Sequence, residues 1–360
     1  MLNSLCPSAT HNLRRSLPST NLQTQVHPRE KPVLAKAAKS PCVAVIENPR
    51  SGFNSRHSGA LQHLCEKEHI PYRAARTPEE MESCIIELLA REPDILAVSG
   101  GDGTVSAILG AMQQAGDIAA KPVLALLRGG STNMIHRELG LPGSPKQALQ
   151  NLLHSVQMDV PETRIRRRSP LGVRVRGESR EGVGFFFAAG AIPRVLRACQ
   201  NVAANGIARG IGVEILGLAG TFFRLLFQDA AKVGLLHPET IHWRLGGSAS
   251  IRQWQGGNRF FVYLTSLNRL IFGFDPLGRQ DALKLVGMKY PFRKRTMISY
   301  LFLRGRPGKS HARDVEHDCS DRYSLKVHGQ WVLDGEFHGE PDKEESLEVR
   351  ACEPVPFLVS

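Results

Sequence analysis

Ile95-Leu96-Ala97-Val98-Ser99-Gly100-Gly101-Asp102-Gly103-Thr104 is the stretch that decides the fold. Four apolar residues in a row make a short buried strand. Val105, Ile108, Leu109 and Met112 follow at the spacing of one helical face, and Gly116 suits the helix stop. Between strand and helix, three glycines surround one carboxylate. Glycine lets the backbone turn sharply and lets phosphate oxygens come close to N–H groups. The helix beginning near Thr104 adds its positive end.

The same unit recurs on both sides. Upstream, Cys42 to Ile46 reads as a buried strand and runs into Asn48-Pro49-Arg50-Ser51-Gly52. A helix is predicted over 58–67. The next helix is better marked, because Thr77-Pro78-Glu79-Glu80 places Thr at the N-cap, Pro at the first turn and Glu three residues on. Met81, Ile85, Leu88 and Leu89 give it one apolar face. Downstream, Val123 to Leu127 runs into Arg128-Gly129-Gly130-Ser131-Thr132-Asn133 and a short helix. Strand, loop and helix repeated three times predict a parallel sheet with helices on its faces. In such sheets ligands sit beyond the carboxyl ends of the strands, where all three loops lie.

After about Glu162 the texture changes. Arg164-Ile165-Arg166 and Val173-Arg174-Val175-Arg176 alternate with period two. Phe185 to Ala188 and Phe260 to Leu264 read as buried strands. Tyr323 to Val327 and Gln330 to Leu333 suggest a hairpin turning at Gly329. Ile211, Ile215, Leu218, Phe222 and Leu225 share one helical face. The expected fold class is an α/β N-terminal domain with a parallel sheet plus a C-terminal antiparallel β-sandwich domain with a helical insertion. The expected boundaries are a tail over 1–40, an α/β domain over 41–162 completed by about 345–360, and a β-rich domain over 163–344.

Composition narrows the partners. The chain has 360 residues and a net charge of +12, which favours phosphates, nucleic acid or an acidic membrane face. Only 6% of residues are aromatic, and no nucleic-acid-binding pattern occurs, which argues against nucleic acid. The 7 cysteines are scattered with no CxxC spacing, against a disulfide framework or a zinc site. His63, His69, His136 and His154 have no metal-ligand spacing. No run reaches the roughly 18 apolar residues of a membrane span. A cytoplasmic protein touching membranes from the side is expected. The tail, rich in Ser, Thr, Asn and Pro, reads as a disordered extension or a transit peptide. Monomer and homodimer both stay open.

Four elements carry chemistry. Gly100, Gly101, Gly103 and Thr104 form the first phosphate loop. Asp102 beside a polyphosphate would repel it unless a divalent cation intervenes, so Asp102 is read as handling Mg²⁺ or its water shell, or else as a plain helix cap. Asn48, Ser51 and Gly52 form the second loop. Arg50 and Arg56 add positive charge there. Gly130, Ser131, Thr132 and Asn133 form the third. Asp334-Gly335-Glu336 is a common turn that also places a carboxylate able to accept a hydroxyl proton.

In this order these motifs resemble the diacylglycerol kinase catalytic-domain family, which includes bacterial lipid kinases, sphingosine kinases and ceramide kinases. The resemblance covers about residues 41 to 358. It implies ATP- and Mg²⁺-dependent phosphoryl transfer to a lipid hydroxyl at a membrane surface. The nucleotide cleft would lie between the two domains. Carried over by motif, Asp102 belongs to the nucleotide and metal loop, Asp334 matches the general base, and Glu336 assists it. The helix near Ile211 to Leu226 resembles an insertion beside the lipid cleft.

The chain departs from the family pattern at several places. Ser131 replaces the usual Thr, and Met134 follows Asn133 where bacterial members have Asp. Ala189-Gly190-Ala191-Ile192 and Asp281-Ala282-Leu283 also differ from the usual runs. GGDGT is shared with NAD kinases, so a soluble-substrate kinase is the alternative. A nucleotide- or lipid-sensing module without transfer is a third reading.

Overall fold

In a computed structural model, the residues described are 41–57, 59–114, 122–130, 132–157, 164–204, 237–246, 253–270, 273–275, 282–306 and 313–360. The predicted tail, the helix near Ile211 to Leu226, Ser131 and Asp281 lie outside them. Both sheets below belong to one compact unit, Lys36–Ser360.

The first half runs β1 (Val43–Glu47), α1 (Ala60–Lys67), β2 (Tyr72–Ala74), α2 (Pro78–Leu89), β3 (Ile95–Gly100), α3 (Asp102–Gln114), β4 (Val123–Arg128), α4 (Met134–Leu139) and α5 (Pro145–Gln157). Then come β5 (Ile165–Arg168), β6 (Leu171–Val175), β7 (Gly182–Gly184), β8 (Phe186–Gly190), α6 (Ala191–Ala204), β9 (Glu239–Leu245), β10 (Gln255–Thr265), β11 (Leu283–Lys289) and α7 (Lys294–Phe302). The chain ends with β12 (Val315–Ser320), β13 (Arg322–His328), β14 (Trp331–Leu333), β15 (Glu336–His338), β16 (Glu344–Ala351) and β17 (Val355–Leu358).

The six-stranded sheet has the order β2-β1-β3-β4-β17-β5. All its pairs are parallel except β17 with β5. β1 and β3 are buried along their whole length, as strands covered on both faces must be. The α2 face of Met81, Ile85, Leu88 and Leu89 packs with Val105, Ile108, Leu109 and Met112 of α3. Each such side chain contributes about 1.5–3 kcal/mol by leaving water. Thr77 Oγ1 accepts from Glu80 N at 3.2 Å, as the cap signature predicts. The Glu80 carboxylate, however, reaches back to Arg76 N at 2.6 Å rather than to the N-cap amide.

The second sheet has eleven strands, ordered β15-β14-β8-β10-β9-β13-β16-β6-β7, with β11 and β12 joined through β10. Every pair in it is antiparallel. It is one curled sheet that wraps a core built on Phe187, Trp243, Val262, Tyr323 and Trp331. After β16 the chain leaves this sheet and returns to the first one as β17.

One expectation fails. The hairpin read from Tyr323–Val327 and Gln330–Leu333 does not form, because β13 pairs with β9 and β16 while β14 pairs with β8 and β15. The tight turn is Asp334-Gly335, at φ 48° and 91°, which joins β14 to β15. Two left-handed residues in succession match the right-handed twist of the flanking strands, and Asp-Gly is a preferred pair for that turn. Gly329, at φ 96°, instead carries the chain across to a new neighbour.

A polar seam ties the sheets together. Glu138 at the end of α4 receives Arg168 of β5 through two contacts, at 2.9 and 2.6 Å. Its other oxygen accepts from Asn268 N and Arg269 N at 2.6 and 3.0 Å, just past β10. Lys284 of β11 is fully buried nearby and donates to Leu267 O at 3.1 Å.

Candidate active site

The three glycine- and Asn-rich loops meet at the carboxyl ends of β1, β3 and β4. Backbone contact makes glycine necessary there. A Cβ on Gly130 would lie 2.4 Å from Gly101 Cα, and one on Gly129 would lie 2.6 Å from Gly100 N. Gly129 N also donates to Gly100 O at 3.1 Å.

Asparagines hold the loops in shape. Asn48 Oδ1 accepts from Arg50 N at 3.0 Å, and its Nδ2 donates to Thr104 Oγ1 at 3.0 Å. Ser51 Oγ donates to Asn48 O at 2.8 Å. The Asn48 amide and the Ser51 hydroxyl thus each hold the loop through part of their hydrogen-bonding capacity. Asn133 is buried at φ 50°, accepts from Gly130 N at 2.9 Å and donates to Gly130 O at 2.5 Å. Thr132 is exposed.

Asp102 bridges two loops. Its oxygens accept from Met134 N and Ile135 N, both at 2.9 Å, which caps α4 from outside that helix. Asn133 occupies the N-cap position of α4 without a side-chain bond to it. Asp102 thus caps α4 rather than its own helix. Desolvation raises the Asp102 pKa, against the two amides and the charge of Arg137. The first amides of α3 lie at the loop tip and lack helical partners, as at any helix start.

Asp334 and Glu336 come from the second sheet to this same place. Asp334 is 9% exposed. Its carboxylate accepts from Phe185 N at 2.9 Å, from Phe186 N at 2.8 Å and from Ser106 Oγ of α3. Burial pushes the Asp334 pKa up to about 7; Ser106 and the two amides oppose the rise, and the negative charge of Asp102 adds to it. Glu336 is exposed. Its Oε1 stands 3.2 Å from where a Cβ on Gly103 would sit, so its carboxylate overhangs the GGDG loop.

The three loops and the Asp334-Gly-Glu336 turn thus come together. Two others in the cluster escaped sequence reading. Ser106 follows Asp102 by one helical turn, and only the landing place of the β14–β15 turn gives it meaning. Asn54 is buried and donates to Asn48 O, Ser99 O and Ser99 Oγ at 3.1, 3.2 and 3.0 Å, clamping β1 to β3. No motif marked it. Among the described residues no group of three or more His, Cys, Asp or Glu could by itself hold a metal ion. Asp102 and Glu336 suit a cation that brings its own waters and phosphate ligands, because one or two carboxylates suffice for such an ion.

Comparison with known proteins agrees with this architecture. Residues 42–163 match the family described as the diacylglycerol kinase catalytic domain. No curated protein sequence matches the chain. Among solved structures, the chain is similar to a diacylglycerol kinase from Bacillus anthracis str. Sterne, with TM-score 0.58, 13% identity, and coverage of 90% of this chain and 98% of that one. A putative diacylglycerol kinase from the same organism gives TM-score 0.59 at 14% identity, covering 90% and 99%. At such identities the likeness is one of fold. No helix among the described residues is long and apolar enough to cross a membrane.

Proposed function

We propose that this chain, whose residues 42–163 match the diacylglycerol kinase catalytic-domain family, transfers the γ-phosphoryl group of ATP to a lipid hydroxyl. The observation that carries the reading is the convergence of Asp334 and Glu336, from the second sheet, on the amide-lined loop at the start of α3. Donors for phosphate oxygens and a buried carboxyl beside them are what phosphoryl transfer requires, since that chemistry is mostly positioning and charge stabilisation.

The free amides at the start of α3 and the glycine loop of residues 129–130 bind phosphate oxygens. Asn133 and Asn54 keep those loops rigid. Asp102 and Glu336 would hold Mg²⁺ through its water shell. When bound, Mg²⁺ would neutralise charge on the phosphates. Asp334 takes the proton of the acceptor hydroxyl. With a pKa near 7, it can hold and release a proton at neutral pH. Ser106 Oγ also lies 3.1 Å from Asp102 O, so its single hydroxyl proton sits between that carbonyl and the Asp334 carboxyl and ties Asp334 to the loop that carries the nucleotide.

The lipid acceptor rests on the family resemblance and on the second sheet beside the loops. The test is γ-labelled ATP with a total lipid extract, followed by mass spectrometry of the product. Label moving into the organic phase supports the proposal. Label passing only to soluble acceptors would replace it with the NAD kinase-like alternative.

A further inference from the structure

A cleft of about 440 Å³ opens beside the β4 loop, lined by Phe53, Arg128, Asn133, His136, Arg137 and Ser144 among others. Asp334, Glu336, Asp102 and Ser106 do not line it. It therefore lies next to the transfer site and shares only the loop residue Asn133 with it.

Its charge is uncompensated. Arg128 and Arg137 are both exposed, and neither guanidinium has an ion pair or hydrogen bond among the described residues. Among the described residues, the charges felt at His136 are those of these two arginines, and both are positive. Arg137 lowers the pKa of Asp102 through its charge, but the Asp102 oxygens are already engaged by two amides. The His136 ring makes a hydrogen bond with the Leu141 backbone, while its Nε2 is buried without a partner. A buried polar atom left unpaired is costly, and here it sits in the wall of the cleft. Phe53 stacks on the His57 ring at 4.3 Å, which adds an aromatic wall.

We propose that this cleft is a second anion site, taking a phosphomonoester whose phosphate is held by Arg128 and Arg137. A planar guanidinium presents a fork of donors that can take two phosphate oxygens at once, and two such groups line the cleft. The volume exceeds that of bare phosphate, so an organic part lies against Phe53 and Pro142. Because Asn133 clamps Gly130, occupancy of the cleft bears directly on the third loop. The inference goes beyond phosphoryl transfer and does not require it.

The ligand could come from solution or from a lipid headgroup, and the experiment separates the two. Full-length protein is titrated calorimetrically with inorganic phosphate and with glycerol 1-phosphate, under saturating Mg²⁺ and non-hydrolysable ATP analogue. In parallel it is sedimented with phosphatidylcholine vesicles with and without phosphatidic acid. Wild type should bind, and R128Q/R137Q should bind at least about tenfold more weakly, the scale of a lost charge-assisted contact. Binding of the soluble esters alone assigns a free ligand. Sedimentation that depends on both phosphatidic acid and the two arginines assigns a headgroup. Equal binding by wild type and R128Q/R137Q, or no binding in either arm, overturns the proposal. Nucleotide affinity of R128Q/R137Q, measured separately, should stay within a few-fold of wild type, so failure here leaves the kinase reading intact.

Discussion

Ser106 Oγ of helix α3 donates a hydrogen bond to Asp334 Oδ2 in the turn between β14 and β15, joining the glycine-loop helix to the second sheet. Both oxygens of Asp334 are also held by backbone amides of Phe185 and Phe186. The carboxyl is therefore fixed from three directions before any substrate arrives. A fixed, buried, proton-exchanging group at a polyphosphate loop is a reason to expect catalysis there. It is also a reason to expect that the same residue stabilises the fold.

Asp334→Asn separates these two roles. Its amide would set an N–H against the N–H of Phe185 or Phe186, costing about 1–3 kcal/mol. Turnover should fall by about 10²- to 10⁴-fold, the usual worth of a positioned base. Affinity for ATP should hold, because Asp334 is not one of the phosphate-binding amides. Unchanged turnover in a folded variant would remove Asp334 from the reaction.

The raised Asp334 pKa has a sign that can be checked. The folded-state value is about 7, against 3.8 for the free carboxyl. Between those pH values the native state keeps a proton that the unfolded chain has released. The Asp334 contribution to stability is therefore largest below about 3.8, falls as pH rises to about 7, and is flat beyond. Transfer should run the other way, rising through about pH 7 as the base form appears. Urea unfolding at stepped pH should show this slope in wild type and a shallower one in Asp334→Asn.

Asp102 offers a sharper division between cap and metal. Asp102→Ala removes the acceptor of Met134 N and Ile135 N, and should cost about 0.5–2 kcal/mol, as other lost caps do. Asp102→Asn retains one acceptor oxygen, so its stability should recover part of that loss. If Asp102 also serves the cation, Asp102→Asn should still need several-fold more Mg²⁺ for half-maximal nucleotide binding. An unshifted Mg²⁺ requirement in Asp102→Asn would leave Asp102 a purely structural cap.

Much of this architecture was readable in advance. The apolar runs at Val43, Ile95 and Val123 and the capping residues around Thr77 act locally, and local chemistry is what a sequence displays. The meeting of GGDGT with Asp334-Gly-Glu336 came only from resemblance, since no periodicity links residues so far apart. The misread hairpin has the same cause. Gly329 and Asp334-Gly335 both look like turns, and only strand pairing with β8 decides which one closes. Glu138 and Asn54 gave no signal, because a buried polar residue is recognised by its partners. Glu138→Ala would remove the buried acceptor of the Arg168 guanidinium and of two backbone amides, and should cost about 3–5 kcal/mol in chemical unfolding.

Gly130 and Gly335 should respond differently to the same change. In Gly130→Ala the new methyl would meet Gly101 Cα at 2.4 Å, and both partners are backbone, so the two loops must separate. In Gly335→Ala nothing lies within 4 Å, and only the left-handed φ of 91° is strained, at about 1–2 kcal/mol. Gly335→Ala should therefore lose a few degrees of Tm and bind nucleotide normally. Gly130→Ala should lose nucleotide affinity out of proportion to its Tm, because the spacing of the phosphate-facing amides is what the contact between Gly101 and Gly130 sets. Equal nucleotide affinity in both variants would mean that the contact serves folding alone, and that the third loop does not touch the phosphates.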